Sequence, residues 1–319
     1  RRRRRRRPYM NQPEPDPDRS RNQRRGIALT VLATIVFASM DTITKLLAVD
    51  YAPPQILWVR FAVFFLVALA IVRRRNPLRA LRSRHPWWQS ARSLLLVLEI
   101  GVFIVSLRYL PLAEVVAIAA AAPLIVTALA APILGERVDG RRWLAVAAGF
   151  AGVLVIVRPG FGEASHLLLI PLAGAALWAV YQLMVRRLAS VDGADTTVFY
   201  TASVGLAAMC FIGPFYWQPP DAQGWLLLAA VATLGATGHG LIIKALHLAD
   251  ASVLQVFGYI HLVAATALGF LIFGHWPDHA TLGGAALIVA SGIWVARDER
   301  RSRKAEAAVA AMPPPPAGR

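Results

Sequence analysis

Apolar residues run along most of this chain in long uninterrupted blocks, ten of them, with the polar residues gathered into the short gaps between. The blocks cover residues 27–48, 55–72, 93–108, 112–134, 143–157, 167–186, 197–215, 225–245, 252–273 and 281–296. A hydrocarbon core about 30 Å thick takes roughly 20 residues of helix at 1.5 Å per residue. The two shortest internal blocks, 93–108 and 143–157, are therefore expected to extend into their flanks. A lipid-exposed barrel strand would alternate apolar and polar residues at every second position, and these blocks do not. They are instead rich in Ala and Leu. The pattern predicts an all-α membrane protein with ten transmembrane helices.

Composition agrees: 57% of the 319 residues are hydrophobic and 16% charged, where a soluble domain carries about 25% charge. The formal net charge of +16 raises nucleic acid as a partner, but its placement argues otherwise. Of 34 Lys and Arg residues, 30 fall in the termini and in alternate gaps, leaving Arg108 and Arg158 in the other gaps and Lys45 and Arg60 within spans. That is the positive-inside pattern, with Arg92 counted among the cytoplasmic residues that precede the third span. It predicts a multi-pass protein of the bacterial inner membrane with both termini cytoplasmic. A nucleic-acid surface needs a basic face on a folded soluble domain, and no block leaves room for one. Residues 1–25 and 298–319 have no apolar pattern and are expected to be disordered cytoplasmic tails. Met10, just beyond the opening Arg run, is a candidate translation start. Cys210 is a lone thiol, so disulfides and Cys-based metal sites within one chain are not expected.

The chain repeats itself. Ala113, Pro123, Gly135 and Gly152 match Ala251, His261, Gly274 and Gly292 in order. Each half, 26–158 and 165–297, holds five spans, so the second enters the membrane inverted relative to the first. Inverted repeats about a midplane site are the architecture of secondary transporters. The fourth-to-fifth-span stretch, with small residues, Pro123 in mid-helix, then Leu134-Gly135-Glu136-Arg137 and a Gly-rich last span, resembles the drug/metabolite transporter superfamily, in its ten-span group with two EamA-type repeats. Arg60, in Trp58-Val59-Arg60-Phe61, matches an Arg that this family carries early in its second span. The resemblance covers roughly residues 27–297 and implies a membrane carrier, an exporter or an uptake carrier. Gly274-His275 stands where the family usually has Gly-Glu, and His261 where Pro is common.

Charge within a span is costly unless it meets a partner or water. Asp41 and Lys45, four apart on one helical face, either pair locally or line a cavity; Ser39, Thr42 and Thr44 add polarity to the same helix. Arg60 either snorkels to the headgroups or takes a cavity role beside Asp41 or Glu99. Glu99 has no oppositely charged helical neighbour, and since burial disfavours a charged carboxylate it is a candidate proton acceptor. Glu114 reads as a charge at a helix N-terminus. Trp178, Tyr181 and Gln182 share a face suited to stacking and hydrogen bonding a small organic solute, or to helix packing. His261, whose imidazole class titrates near physiological pH, and His239, flanked by glycines, are each either functional or locally satisfied. His275, Asp278 and His279 form a loop cluster. Gly149, Gly152, Gly283 and Gly284 read as helix-contact positions.

No Walker A, His-Glu-x-x-His or Gly-x-Ser-x-Gly motif is present, so neither an ATP-driven pump nor these enzyme classes is supported. The reading is a carrier, not an enzyme, with no catalytic residue, cofactor or metal. Its substrate-binding or coupling candidates are Asp41, Lys45, Arg60, Glu99, Trp178, Tyr181, Gln182 and His261. The expected partners are a small-molecule solute, protons as the candidate coupling ion, membrane lipids, and a second copy in a homodimer; nucleic acid is not one. An amino acid or derivative moved outward is the leading expectation, uptake of a vitamin or cofactor precursor such as a flavin the alternative, and a membrane-embedded enzyme or scaffold the alternative of a different class.

Overall fold

A computed structural model of the chain describes residues 17–75, 82–134, 139–158, 165–188, 191–249 and 251–310. Twelve α-helices make up the described fold: α1 Pro17–Asp50, α2 Pro53–Arg75, α3 Pro86–Tyr109, α4 Leu112–Ala119, α5 Ala122–Leu134, α6 Gly140–Val157, α7 Leu169–Leu188, α8 Ala194–Ile212, α9 Ala222–Leu248, α10 Ala251–Gly258, α11 Ile260–Phe273 and α12 His279–Ala310. They supply ten stretches long and apolar enough to cross a bilayer. Crossing in alternation, an even number of spans puts both termini on one face, called here the terminal face.

Local chemistry sets the ends. Pro begins α2 and α3, where a missing N–H costs nothing. Asp139 accepts from the Gly140 N–H at 2.7 Å and Asp221 from that of Gly224 at 2.6 Å, capping α6 and α9. Gly274 closes α11 in the left-handed conformation with φ 68°. Two expectations are corrected. Segments 17–25 and 298–310, predicted to be disordered, are helical, since their Arg, Lys, Glu and Ala are good helix formers that prolong α1 and α12 into solvent; residues 1–16 and 311–319 lie outside the described residues. The third span begins at Pro86, so Arg92 is within it and not in a cytoplasmic gap. The Gly135–Arg137 part of the predicted turn lies outside the described residues.

The fourth and ninth spans are each broken at corresponding places. The fourth divides at Ala120–Ala121, where tighter i→i−3 bonds run from the Ala121 N–H to Ile118 and from the Leu124 N–H to Ala121. Pro123 is therefore the second residue of a new helix and not mid-helix; lacking an N–H, it cannot continue the ladder from α4. The ninth divides at Tyr259, after Gly258, and His261 is likewise the second residue of its half-helix.

Packing between the halves is symmetric under their exchange. The first span packs on the eighth and the third on the sixth; the first packs on the ninth and the sixth on the fourth. The second packs on the seventh, the fifth on the tenth, and the fourth on the ninth. The two larger apolar cores each draw on both halves. One joins α3 through α6 with α11 and α12 through Leu107, Ile118, Leu124, Ile156 and Ile288. The other joins α1, α2, α3, α8 and α9 through Leu47, Ile56, Phe61, Ile104 and Val231. Where α6 crosses α12, a methyl group on Gly152 would lie 2.7 Å from the Gly284 carbonyl oxygen, so only hydrogen fits. Gly149 is equally tight against Leu124, whereas Gly283 touches nothing and is not a contact position.

Candidate functional site

The half-helix break in the ninth span carries the first element of the site. The helix start at Ile260 aims His261 at α1, where its Nε2 lies 3.0 Å from Oδ2 of Asp41. Asp41 is almost fully covered, its side chain 6% exposed, while the His261 side chain keeps 27% of its surface. Arg60 of α2 is within Coulombic range of Asp41 and of Glu99 of α3. Arg60 and Glu99 are half-buried and make no direct salt bridge with each other among the described residues. Four helices, α1, α2, α3 and α11, thus bring two carboxylates, a guanidinium and an imidazole to one region of the membrane interior, where each charge would be costly alone.

The second element is aromatic. Trp178 and Tyr181 on α7 stack with ring centroids 5.2 Å apart and planes at 26°. Tyr181 is within Coulombic range of Glu99, so the stacked face adjoins the charged region. Arg92 donates to the Tyr181 hydroxyl at 3.1 Å and its guanidinium carbon stands 5.4 Å from the Tyr181 ring centre. Arg92 is fully buried. Sequence reasoning missed it because it sits next to a basic run that the topology count assigned to the cytoplasm. The available signal was the uncharged Pro86-Trp87-Trp88-Gln89-Ser90-Ala91 stretch before it.

The structure does not bring every candidate here. Lys45 does not pair with Asp41: its Nζ donates to the carbonyls of Leu107 and Leu110, at 2.7 and 2.5 Å, and stands over the Phe273 ring. Those carbonyls belong to the unpaired end of α3, which attracts a cation. Gln182 is exposed. The hydroxyls of Ser39, Thr42 and Thr44 donate to their own helix at Ile35, Ala38 and Met40. His239 bonds the Gly235 carbonyl oxygen within an unbroken α9, and Gly238 takes the edge of Phe37. Glu114 stands in the first turn of α4. Asp278, of the His275–His279 loop, binds Arg158 and the Thr281 N–H; chiefly through the Arg158 bond its carboxyl is pushed down to about 2. A Trp-lined apolar cleft of about 470 Å³ at the start of α2, bounded by Trp58, Trp217 and Trp225, shares no residue with the charged region.

Two polar closures flank the site on opposite faces. On the terminal face Asp192, between α7 and α8, accepts from the Ser83 hydroxyl at 2.5 Å, the Arg84 N–H at 3.0 Å and the Gln89 amide at 2.9 Å. Burial raises the Asp192 carboxyl, but these three donors outweigh it and hold the group below its ordinary value. On the other face the buried Gln55 donates to the Gln218 carbonyl at 2.7 Å and accepts from its N–H at 2.9 Å. Each closure joins the start of one half's second or third span to a loop beside the other half's second span, so exchange of halves approximately relates them.

Ten apolar spans, two of them broken at matching positions, and ionisable groups gathered in the membrane interior define a polytopic membrane carrier. Residues 24–158 and 165–297 match the EamA-like transporter family, and the chain belongs to it. It is 28% identical to a protein of Vibrio cholerae named riboflavin transporter, over 90% of this chain and 97% of that one. It is 24% identical to the S-adenosylmethionine uptake transporter of Rickettsia prowazekii, over 87% and 94% of the two chains. It is also 24% identical to the pseudopaline exporter CntI of Pseudomonas aeruginosa, over 87% and 98%. A crystal structure 22% identical in sequence superposes with a TM-score of 0.58, covering 88% of this chain and 98% of that one, and shares the fold. The chain is a small-molecule membrane transporter, not an enzyme.

Proposed function

We propose that this carrier moves a small solute with a planar heteroaromatic ring, of the flavin class, by alternating access between two inverted five-span halves. The observation that carries this reading is the stacked Trp178–Tyr181 face beside the Asp41–His261 and Arg60–Glu99 groups. An aromatic face binds a flat ring by stacking, and the adjoining donors and acceptors select its polar edge. The riboflavin transporter name carried by a relative of nearly the same length supports this class, and we place it ahead of an amino acid as the solute. Inversion is supported by the exchange symmetry of the packing and by the two half-helices α5 and α11, whose positive N-terminal ends point into the membrane interior. The terminal face is the cytoplasmic one, as the basic residues argue. The closures at Asp192 and Gln55 are the two gates. Inward movement is the proposed direction.

His261 with Asp41, and Glu99 beside Arg60, are the proposed proton-handling groups. The 3.0 Å contact between the His261 imidazole and the Asp41 carboxylate is short enough for the pair to share and pass on a proton. The test is riboflavin uptake into sealed proteoliposomes, with and without an inward proton gradient, with the internal solute recovered chemically unchanged. Saturable uptake stimulated by the gradient is expected. Absence of riboflavin flux, alongside flux of an amino acid, would refute the flavin reading.

A further inference from the structure

We propose that Arg92 is a positioning residue for the solute: it fixes the hydroxyl of Tyr181, and with it the stacked Trp178–Tyr181 face, and ties that face to the Asp192 closure. The proposal rests on the reading that this face receives the solute. Every acceptor of the guanidinium among the described residues is neutral. Nε donates to Gln89 Oε1 at 3.2 Å, one terminal nitrogen to Tyr181 at 3.1 Å, and the other to Thr201 Oγ1 at 2.7 Å, the Thr197 carbonyl at 3.1 Å and, weakly, Ser93 Oγ at 3.4 Å. Burying a cation without a carboxylate is costly, and neutral acceptors offset that cost only in part. Stability alone therefore does not account for the choice of residue.

The network is directional. The Thr201 hydroxyl gives its hydrogen to the Thr197 carbonyl and that of Ser93 to the Gln89 carbonyl, leaving only lone pairs toward Arg92. Gln89, itself fully buried, accepts from Arg92 through Oε1 and donates to Asp192 through Nε2, which settles its amide orientation. Tyr181 cannot change rotamer without leaving a guanidinium N–H unpaired, a costly defect in a buried site. One line of bonds, Asp192–Gln89–Arg92–Tyr181, thus runs from the terminal-face loop to the aromatic face. When the Asp192 closure opens, the strut behind Tyr181 loosens, and solute release follows gate opening.

The experiment is a double-mutant cycle on riboflavin uptake by the full chain in proteoliposomes, using Tyr181→Phe, Arg92→Gln and the pair, with Arg92→Lys as the conservative variant. Tyr181→Phe keeps the ring and removes the bond, and one hydrogen bond is worth about fivefold in affinity. Each single change is expected to raise KM about fivefold with Vmax within about twofold, and the pair to raise it no further than the larger single change. Arg92→Lys should fall between wild type and Arg92→Gln. Multiplying effects, about 25-fold in the pair, would overturn the proposal. So would loss of Vmax at unchanged KM, or a Tyr181→Phe variant with wild-type kinetics, a result readable even if Arg92→Gln fails to fold. If the wild type carries no riboflavin, the flavin reading falls by itself. The same cycle read as thermal unfolding in detergent then decides whether Arg92 holds Tyr181: a pair no less stable than the weaker single supports it, and additive losses overturn it.

Discussion

The Asp192 closure offers the sharpest prediction. In Asp192→Asn an amide nitrogen replaces one carboxylate oxygen. Oδ2 of Asp192 accepts from both the Ser83 hydroxyl and the Gln89 amide, and Oδ1 accepts from the Arg84 N–H. Whichever way the new amide lies, a donor meets a donor and the remaining bonds lose their charge. A hydrogen bond to a charged group contributes about 1.5–3 kcal/mol, so the net loss is about 2 kcal/mol, roughly 30-fold in the opening equilibrium of this face. The assay is the labelling rate of a single cysteine at Ser93, fully buried behind the closure, in a Cys210→Ser background in inside-out vesicles. Labelling should accelerate about 30-fold in Asp192→Asn. Because the folded Asp192 carboxyl is depressed, its stabilisation is complete above its unfolded value near 4 and is lost as pH falls through the folded one. Wild-type labelling should therefore quicken only below about pH 4, and the variant should lack that acid step. Labelling within twofold of wild type at neutral pH would refute the reasoning.

Other predictions follow from the same geometry. Lys45→Met leaves the Leu107 and Leu110 carbonyls without their cation and should destabilise the folded protein by about 2 kcal/mol, read as a fall of a few degrees in Tm. Gly152→Ala forces a methyl against the Gly284 carbonyl and should sharply lower the folded yield, while Gly283→Ala, which meets nothing, should match wild type in size-exclusion profile. Glu99→Gln should leave downhill exchange of solute intact and abolish its stimulation by a proton gradient; unchanged pH dependence would remove Glu99 from coupling. Asp278→Asn should cost under about 1 kcal/mol, because the Arg158 pair is half exposed and screened, and the difference should vanish at 1 M salt.

The ten spans were legible because an apolar run of bilayer length is seldom anything but a membrane helix, and the repeats because small residues and glycines recur in register. Pairings were not. Asp41 and Lys45 share a helix face, yet tertiary partners outcompeted the local pair: the bare end of α3 took the ammonium and a His 220 positions away took the carboxylate. Arg92 was hidden by a charge count that treats every Arg near a basic run as solvated. The closure at Asp192 joins residues more than 100 positions apart, which no local pattern encodes. Helicity beyond the membrane was missed because low hydrophobicity reads as disorder even where Ala, Glu and Arg favour a helix.

Alternation itself is tested by measuring two distances at once with spin labels in nanodiscs. One pair, at Arg84 and Gly193, spans the terminal-face closure; the other, at Ala52 and Pro219, spans the opposite one. As solute and proton concentrations change, one distance should lengthen where the other shortens, in the same molecules. Distances that stay fixed, or that lengthen together, would contradict a carrier working by opposed gates.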